Sequence, residues 1–347
     1  MSFRTALRRL IEDRATLTLD EARALMERVL AGEASEPELA AMLGAMAARG
    51  ETAEEIAGFA QALRQAMQTL PLTDSERAAC VDTCGTGGDA SGSINISTAA
   101  ALVAAAAGAK VAKHGNRAIT SRCGSADVLE MLGIPVDLTG EAAADMLRNH
   151  GFVFLLAPAH HPALKAVMPV RRALGVRTVL HVLGPLLNPA GARRQVMGVY
   201  TRRLVPVVGE ALRLLGTTYA LVVHGDGGGG QGVDELALSG PTELAEVRDA
   251  ELRLRVLAPE EFGLSRAPLE ALTGGDAAVN AELLRGIFSG AKSSVAERAR
   301  RDMVLLNAGA VLLTAGAVPS LGRGLEMAAS AIDSGQVTEL VKRLCAR

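Results

Sequence analysis

The residues best suited to chemistry lie in three short runs in the first half of the chain: Asp82-Thr-Cys-Gly-Thr-Gly-Gly-Asp89, Asn95-Ile-Ser-Thr98 and Lys113-His-Gly-Asn-Arg117. Gly85, Gly87 and Gly88 lack a β-carbon, so the backbone there can take left-handed conformations and approach a bulky oxyanion. Successive N–H groups in such a turn form an anion-binding concavity. Ser97 and Thr98 then open an alanine-rich run, Ala99 to Ala107, that has the composition of a helix closed by Gly108. A second phosphate fits the positive N-terminus of that helix, supported by the two hydroxyls. A tight strand-to-helix turn with a purely structural role is the competing reading of the glycines. The run is not a Walker loop, because no Gly-Lys-Ser/Thr follows, and its glycine spacing does not fit the dinucleotide fingerprint.

Lys113 to Arg117 gathers four donor-rich side chains around Gly115, directly after an apolar run. Solvated surface charge is one reading of it, and an anion or ligand loop is the other. In Ser121-Arg-Cys-Gly-Ser125, Ser125 precedes a helical pattern and can cap it, a role compatible with phosphate contact. Further on, Asp234-Glu235 follow the glycine-rich stretch Gly225-Asp-Gly-Gly-Gly-Gly-Gln-Gly232. Adjacent acids are commonly solvated neighbours. At a strand end they also suit Mg²⁺, which takes one or two carboxylates together with substrate phosphates. His160 and His161 have no third ligand at zinc spacing. No Ser-His-Asp or Cys-His pairing is readable from spacing, so the chain offers a phosphate and Mg²⁺ site rather than a covalent catalyst.

The elements that must carry these runs fall into two segments. In the first, residues 1 to about 72, Thr18-Leu-Asp-Glu21, Ser35-Glu-Pro-Glu38 and Thr52-Ala-Glu-Glu55 are capping boxes that announce three helices. Leu25, Met26, Val29 and then Leu39, Met42, Leu43, Met46 recur at helical spacing, which reads as the core or oligomer face of a small bundle. From Cys80 onward apolar runs at Lys110–Lys113, Val153–Leu156, Val196–Tyr200 and Tyr219–His224 alternate with helical patterns, which predicts a mainly parallel sheet with helices on its faces. Ligands bind such sheets beyond the carboxyl ends of the strands, where the glycine run and Lys113 fall. The expected class is α/β: a small N-terminal helical domain (1–72, completed by about 160–190) plus a larger α/β domain (73–347) with a mainly parallel central sheet flanked by helices. The last third, with helices expected over Ala277–Ser289, Ser294–Thr314 and Leu325–Arg347, reads as packing without function.

Whole-chain properties narrow the function classes. Lys plus Arg (36) and Asp plus Glu (38) nearly cancel, to a formal charge of −2. That balance argues against nucleic-acid binding through a broad basic face. With no Trp, two Tyr and six Phe, there is no stacking platform for single strands either. Cys80, Cys84, Cys123 and Cys345 show neither metal-ligand spacing nor a secreted framework, so free thiols in a reducing compartment are expected. The N-terminus lacks an apolar export region and no apolar run reaches membrane-spanning length, so a soluble, cytoplasmic protein with no membrane contact is expected.

Taken in order along nearly the whole chain, Asp82–Asp89, Asn95–Thr98, Lys113–Ala118, Gly124-Ser-Ala-Asp-Val-Leu-Glu130, Val170-Arg-Arg-Ala-Leu-Gly175, Leu183-Gly-Pro-Leu-Leu-Asn-Pro189 and Val233-Asp-Glu235 closely resemble the anthranilate phosphoribosyltransferase family. The pyrimidine nucleoside phosphorylases, similar in fold, lack the Lys-His-Gly-Asn-Arg run. The resemblance implies transfer of the 5-phosphoribosyl group of phosphoribosyl pyrophosphate to the amine of anthranilate, in tryptophan biosynthesis, by a homodimer joined through its helical domain. It implies phosphoribosyl pyrophosphate binding at Gly85, Gly88, Asp89, Ser93, Asn95, Ile96, Ser97, Thr98, Lys113, His114, Gly115, Asn116, Arg117, Ser121 and Ser125. Anthranilate is expected at Gly85, Asn116, Arg171, His114 and Pro185, with two Mg²⁺ ions per subunit held through Ser97, Asp234 and Glu235. Lys113, His114 and Asp89 are the candidate catalytic residues. The chain departs from the family's pattern at His181, where Asn is common, at Leu187, where Thr is usual, and in the length of the Gly225–Gly232 stretch. A nucleoside phosphorylase and a non-catalytic relative that binds nucleic acid are the alternatives.

Overall fold

The computed structural model describes residues 2–118 and 122–346. Four helices open the chain: α1 (Phe3–Ile11), α2 (Leu19–Leu30), α3 (Glu36–Arg49) and α4 (Ala53–Gln65). The last three start at the expected capping boxes, in which Thr18, Ser35 and Thr52 each accept from the N–H three residues on. Helix α1 has no counterpart among the expected elements; its signal is Ser2 as cap, followed by Phe3, Ala6 and Leu10 on one buried face. Glu55 does more than complete its box. It is fully buried, binds the Arg49 guanidinium through both oxygens and accepts from Leu17 N–H, which ties α3, α4 and the α1–α2 link together.

Short α5 (Asp74–Ala79) leads into β1 (Cys80–Gly85). Then come α6 (Ile96–Ala106), β2 (Lys110–Gly115), α7 (Ser125–Leu132), α8 (Gly140–His150) and β3 (Phe152–Leu156). Residues 157–187 hold only short pieces, α9 (Ala157–His160), α10 (Met168–Leu174) and α11 (Val179–Leu183), among 3-10 turns. Their apolar residues Val167, Val170, Val179 and Leu183 share one cluster with Leu39, Met42, Ile56 and Phe59. The segment thus packs against the N-terminal helices, in a cluster that also takes in Met197, Val205 and Val222. The sheet continues with β4 (Arg194–Gly198), α12 (Leu204–Leu214), β5 (Tyr219–Gly228), β6 (Gln231–Val233), β7 (Thr242–Arg248) and β8 (Glu251–Leu257).

The strand order is β3-β2-β1-β4-β5-β7-β8, with β6 hydrogen-bonded to β5. β3, β2, β1, β4 and β5 pair in parallel, while β6, β7 and β8 are antiparallel additions. The antiparallel edge escaped the sequence reading because its β7–β8 turn, Asp249-Ala250, uses two non-glycine residues with positive φ instead of a recognisable Asn-Gly or Asp-Gly. The Gly225–Gly232 stretch is no open loop either: β5 runs on to Gly228, turns through Gly228–Gly230 at positive φ, and returns as β6. The chain winds from β1 outward through β2 and β3, then resumes on the other side of β1 with β4 and β5. The carboxyl ends of β1 and β4 are thus a topological switch point, where open α/β sheets bind ligands.

Helices α13 (Ala277–Phe288), α14 (Val295–Ala315), α15 (Leu321–Asp333) and α16 (Gln336–Cys345) complete the fold. The single final helix expected over 325–347 is two, because Gly335 takes the left-handed conformation (φ 79°) between them. Helix α6 is buried along almost its whole length under α14. Its alanines permit that close approach. No helix among the described residues is long and apolar enough to cross a membrane.

Candidate active site

At the switch point the acidic pair Asp234-Glu235 lies across the ends of three strands, each of which ends or passes through a glycine. A β-carbon on Gly85 would come within 2.1 Å of Asp234 Oδ2, one on Gly198 within 1.6 Å of the Asp234 carbonyl oxygen, and one on Gly225 within 2.6 Å of the Glu235 carbonyl oxygen. The β5–β6 hairpin delivers the pair into this notch. Asp234 Oδ2 accepts from Gly87 N–H at 2.7 Å, and Glu235 Oε1 accepts from Ser97 N–H at 3.1 Å. The pair thus holds the glycine turn and the start of α6 together.

Gly87 and Gly88 take positive φ (68° and 76°), as the anion-turn reading requires, and Ala90 follows at 57°. Asp89 Oδ1 accepts from Ser91 N–H at 3.1 Å, ordering the turn, and Ser91 Oγ lies 3.1 Å from Ser93 Oγ. Ser93 bridges to Thr273. Asn95 stands at the N-cap of α6 without capping it. Instead its amide donates to Cys123 carbonyl (3.3 Å) and accepts from Asn280 Nδ2 (2.9 Å). Ile96 packs into the core. Thr98 is fully buried with its hydroxyl unpartnered.

Lys113, 1% exposed near the end of β2, donates from Nζ to Thr83 carbonyl (2.6 Å) and Ser97 Oγ (3.2 Å). Next to it, His114 N–H donates to the buried Asp82 Oδ1 at 3.0 Å. The His114 ring meets His161, their Nε2 atoms 3.1 Å apart, so one carries the shared proton and the other accepts it. Burial, reinforced by the facing imidazole, pushes the His114 pKa down to about 3; burial and His160 push His161 down to about 4. Both are neutral at pH 7. His114 also hydrogen-bonds the Gly184 backbone, beside buried Pro185.

Two expected residues, Arg117 and Ser125, sit differently. The Arg117 guanidinium is turned outward onto Glu130 (2.6 Å) and Asp127 (3.4 Å) of α7, so its side chain leaves the cleft. Ser125 is the first residue of α7 but not its cap: Gly124 stands there, and Asp127 accepts from the Gly124 and Ala118 N–H groups. Ser121 lies outside the described residues. Asn116 is exposed just past β2, its Oδ1 accepting from Arg117 N–H at 2.8 Å, and Gly115 packs against Phe154. Arg171 is half-buried on α10 with its pKa lowered by burial; no carboxylate pairs with it among the described residues.

Several contacts around the site were not read from the sequence. Arg177 stacks 4.1 Å over the Tyr200 ring and donates to the Gly88 carbonyl oxygen, joining the α10–α11 link to the glycine turn. His181, where the family has Asn, accepts from Thr178 N–H through Nδ1 and caps α11; burial and then Arg171 push its pKa down to about 4. Leu187 is fully buried in the bundle core. Asn280 on α13 and Asn307 on α14, from the region read as packing alone, reach site segments. Their only sequence signal is an Asn at a core position of an otherwise apolar helix.

The pair's electrostatics fit a divalent cation. Burial raises the pKa of Asp234 and Glu235, and each is raised further by a neighbouring acid, Asp89 for the first and Asp234 for the second. All available donors are oxygens, which suits Mg²⁺. Among the described residues no three His, Cys, Asp or Glu side chains could hold a metal by themselves, so substrate oxygens and water must complete the shell.

Residues 4–67 match the helical bundle domain of the glycosyl transferase family, and residues 77–338 match its a/b domain. The chain belongs to this glycosyl transferase family. It is 48% identical, over its full length and 98% of the relative, to anthranilate phosphoribosyltransferase of Chloroflexus aggregans. The crystal structure of anthranilate phosphoribosyltransferase from Thermus thermophilus superposes with a TM-score of 0.89 at 43% identity, covering 98% of both chains. The Saccharomyces cerevisiae enzyme in complex with PRPP and Mg gives 0.87 at 25% identity, over 99% of this chain and 96% of the other. Within the family, these relatives are the anthranilate phosphoribosyltransferases.

Proposed function

We propose that the protein is an anthranilate phosphoribosyltransferase, moving the 5-phosphoribosyl group from phosphoribosyl pyrophosphate to the amine of anthranilate with release of pyrophosphate, in tryptophan biosynthesis. The observation that carries this reading is the convergence of the glycine turn, the Ser97–Thr98 helix start, Lys113 and Asp234-Glu235 at the switch point. Gly85, Gly88, Asp89, Ser93, Asn95, Ser97, Thr98, Lys113 and Ser125 would hold the phosphoribosyl pyrophosphate. Ile96, Gly115 and Arg117 would contribute backbone, not side-chain, contacts. Ser97, Asp234 and Glu235 would hold Mg²⁺, which when bound would supply charge neutralisation for the leaving pyrophosphate.

The reaction forms a C1–N bond and breaks the ribose C1–O bond, whose electron pair leaves with the pyrophosphate; the proton lost by the amine goes to that pyrophosphate or to water. Positive charge grows on the sugar and negative charge on the pyrophosphate. Lys113 and the N–H groups of the glycine turn sit where they can stabilise the latter, in a site whose donors are fixed before reaction. An aromatic amine is already neutral at pH 7 and needs no strong base. Neutral His114, with Pro185, would form the pocket wall against anthranilate, and the unpaired Arg171 guanidinium would take its carboxylate as a fork. Asn116 would contact the same substrate.

The chain divides, on this reading, into a bundle of residues 1–72 completed by about 160–190 and an α/β domain of 73–347. The separate family matches to residues 4–67 and 77–338 support a boundary near 72. Two Mg²⁺ ions per subunit, a homodimer joined through the bundle and a cytoplasmic location belong to the same proposal. The test is loss of anthranilate fluorescence on adding phosphoribosyl pyrophosphate and Mg²⁺, alongside sedimentation for the dimer and titration calorimetry for the ion count. No loss at high enzyme concentration would overturn the activity.

A further inference from the structure

We infer that Asn307, in the middle of α14, is a positioning residue for the metal-binding acidic pair. This rests on the reading of Asp234 and Glu235 as Mg²⁺ ligands. Asn307 is 1% exposed and makes three side-chain hydrogen bonds. Its Oδ1 accepts from Leu236 N–H at 3.1 Å, and its Nδ2 donates to the Leu236 carbonyl at 3.0 Å and to the Met303 carbonyl one turn back at 3.0 Å. The side-chain amide therefore imitates a neighbouring strand, satisfying both backbone groups of the residue that follows Glu235.

That residue needs such a partner. Leaving β6 at Val233, the chain has no ladder until β7 begins at Thr242, yet Leu236 is buried and its N–H and carbonyl cannot turn to water. Next along, Ala237 N–H donates to Thr242 Oγ1 at 2.9 Å. Upstream, the carbonyls of Asp234 and Glu235 press against Gly198 and Gly225. The pair is thus wedged by glycines on one side and clamped by α14 on the other. Residues that fix ligands in this indirect way commonly change metal affinity by about 10- to 100-fold when removed. The Asn307 side chain bonds Leu236 and Met303 and neither acid, so its effect on the pair would pass through Leu236.

The experiment compares wild type, Asn307→Ser, Asn307→Leu and Glu235→Gln. Binding of Mn²⁺ in the presence of phosphoribosyl pyrophosphate but without anthranilate is followed by electron paramagnetic resonance, so no turnover enters the measurement. Anthranilate KM and thermal unfolding are read alongside. The inference expects Mn²⁺ affinity about tenfold or more weaker in Asn307→Ser, with anthranilate KM within about twofold of wild type. Unchanged Mn²⁺ affinity in a folded Asn307→Ser would overturn it while Glu235→Gln still weakens the metal. Unchanged affinity in Glu235→Gln would instead overturn the ligand assignment itself. Should both Asn307 variants fail to fold, amide hydrogen exchange of the wild type decides: Leu236 N–H must exchange with the slow core, and exchange at a loop rate overturns the clamp.

Discussion

The two sides of the cleft are built by different means. On the phosphate side, strand ends and buried side chains lock one another: Lys113 onto Thr83 and Ser97, Asp234 onto Gly87, Glu235 onto Ser97, and Asn95 onto Asn280. On the acceptor side, Arg171 rides on a seven-residue helix with no side-chain cap, preceded by a 3-10 turn. Val176, at the end of the same segment, is 54% exposed. On the proposed function, preorganisation lies where charge would develop and the looser framework where the acceptor would enter. Arg177, donating to Gly88, is a direct side-chain hydrogen bond from this looser segment to the glycine turn.

Substitutions that break the rigid side should cost most. Glu235→Gln should lower kcat on the order of 10²- to 10³-fold, as when a preorganised charge-stabilising group is lost, and a loss below tenfold would put the pair outside the chemistry. Gly85→Ala, whose new methyl would collide with the Asp234 carboxylate, should weaken metal affinity by about tenfold or more; normal Mg²⁺ dependence in steady-state kinetics would show the notch to be pliable. The acceptor side should respond in binding alone. Arg171→Ala should raise anthranilate KM about 10- to 100-fold, the worth of a hydrogen bond to a charged group, with the KM for phosphoribosyl pyrophosphate unmoved. Equal changes in both constants would erase the distinction between the sides.

Between them stands the His114–His161 pair, and its effect is on pH. Folded-state pKa values of about 3 and 4 lie below the ordinary imidazole value, so the unfolded chain binds more protons at mild acidity. The pair's contribution is complete above about pH 6.5 and is lost as pH falls toward 4. In urea titrations the stability gap between wild type and His114→Gln/His161→Gln should narrow over that window; a gap that widens would reverse the assignment. The smallest effect belongs to Arg117→Ala. An exposed ion pair is worth about 0–1 kcal/mol, so both KM values should stay within about twofold, and a large rise for phosphoribosyl pyrophosphate would bring that guanidinium back into the cleft.

Legibility in the sequence followed the range of the interactions. Capping boxes, the glycine turn and the alternation of apolar runs with helices act over a few residues, and α2–α4, β2–β5 and α6–α8 were readable from them. So was Lys113 at a strand's carboxyl end. What escaped depends on distant partners. Asn280 and Asn307 look like helix residues until α13 and α14 are laid against 95 and 236. Arg117 looks like a phosphate ligand until Glu130 is brought beside it by a helical turn. The β7–β8 hairpin was hidden by a turn without glycine. Thr98 shows a further limit: that its hydroxyl is buried and unpartnered could not be read from a Ser-Thr pair at a helix start.

The central position of β1 has a consequence for how the protein is made. β1 emerges from the ribosome before both of its sheet neighbours, and its partner β4 follows only after more than a hundred further residues. The acidic pair comes later still, and Asn307, which holds Leu236, is made only after it. Every long-range closure of this kind must wait for its second half. Nascent chains halted before α14 would therefore carry the whole glycine turn and both acids yet lack the buried amide that fixes them. Competence to bind metal and substrate together should arise only once α14 has been made, in one late step.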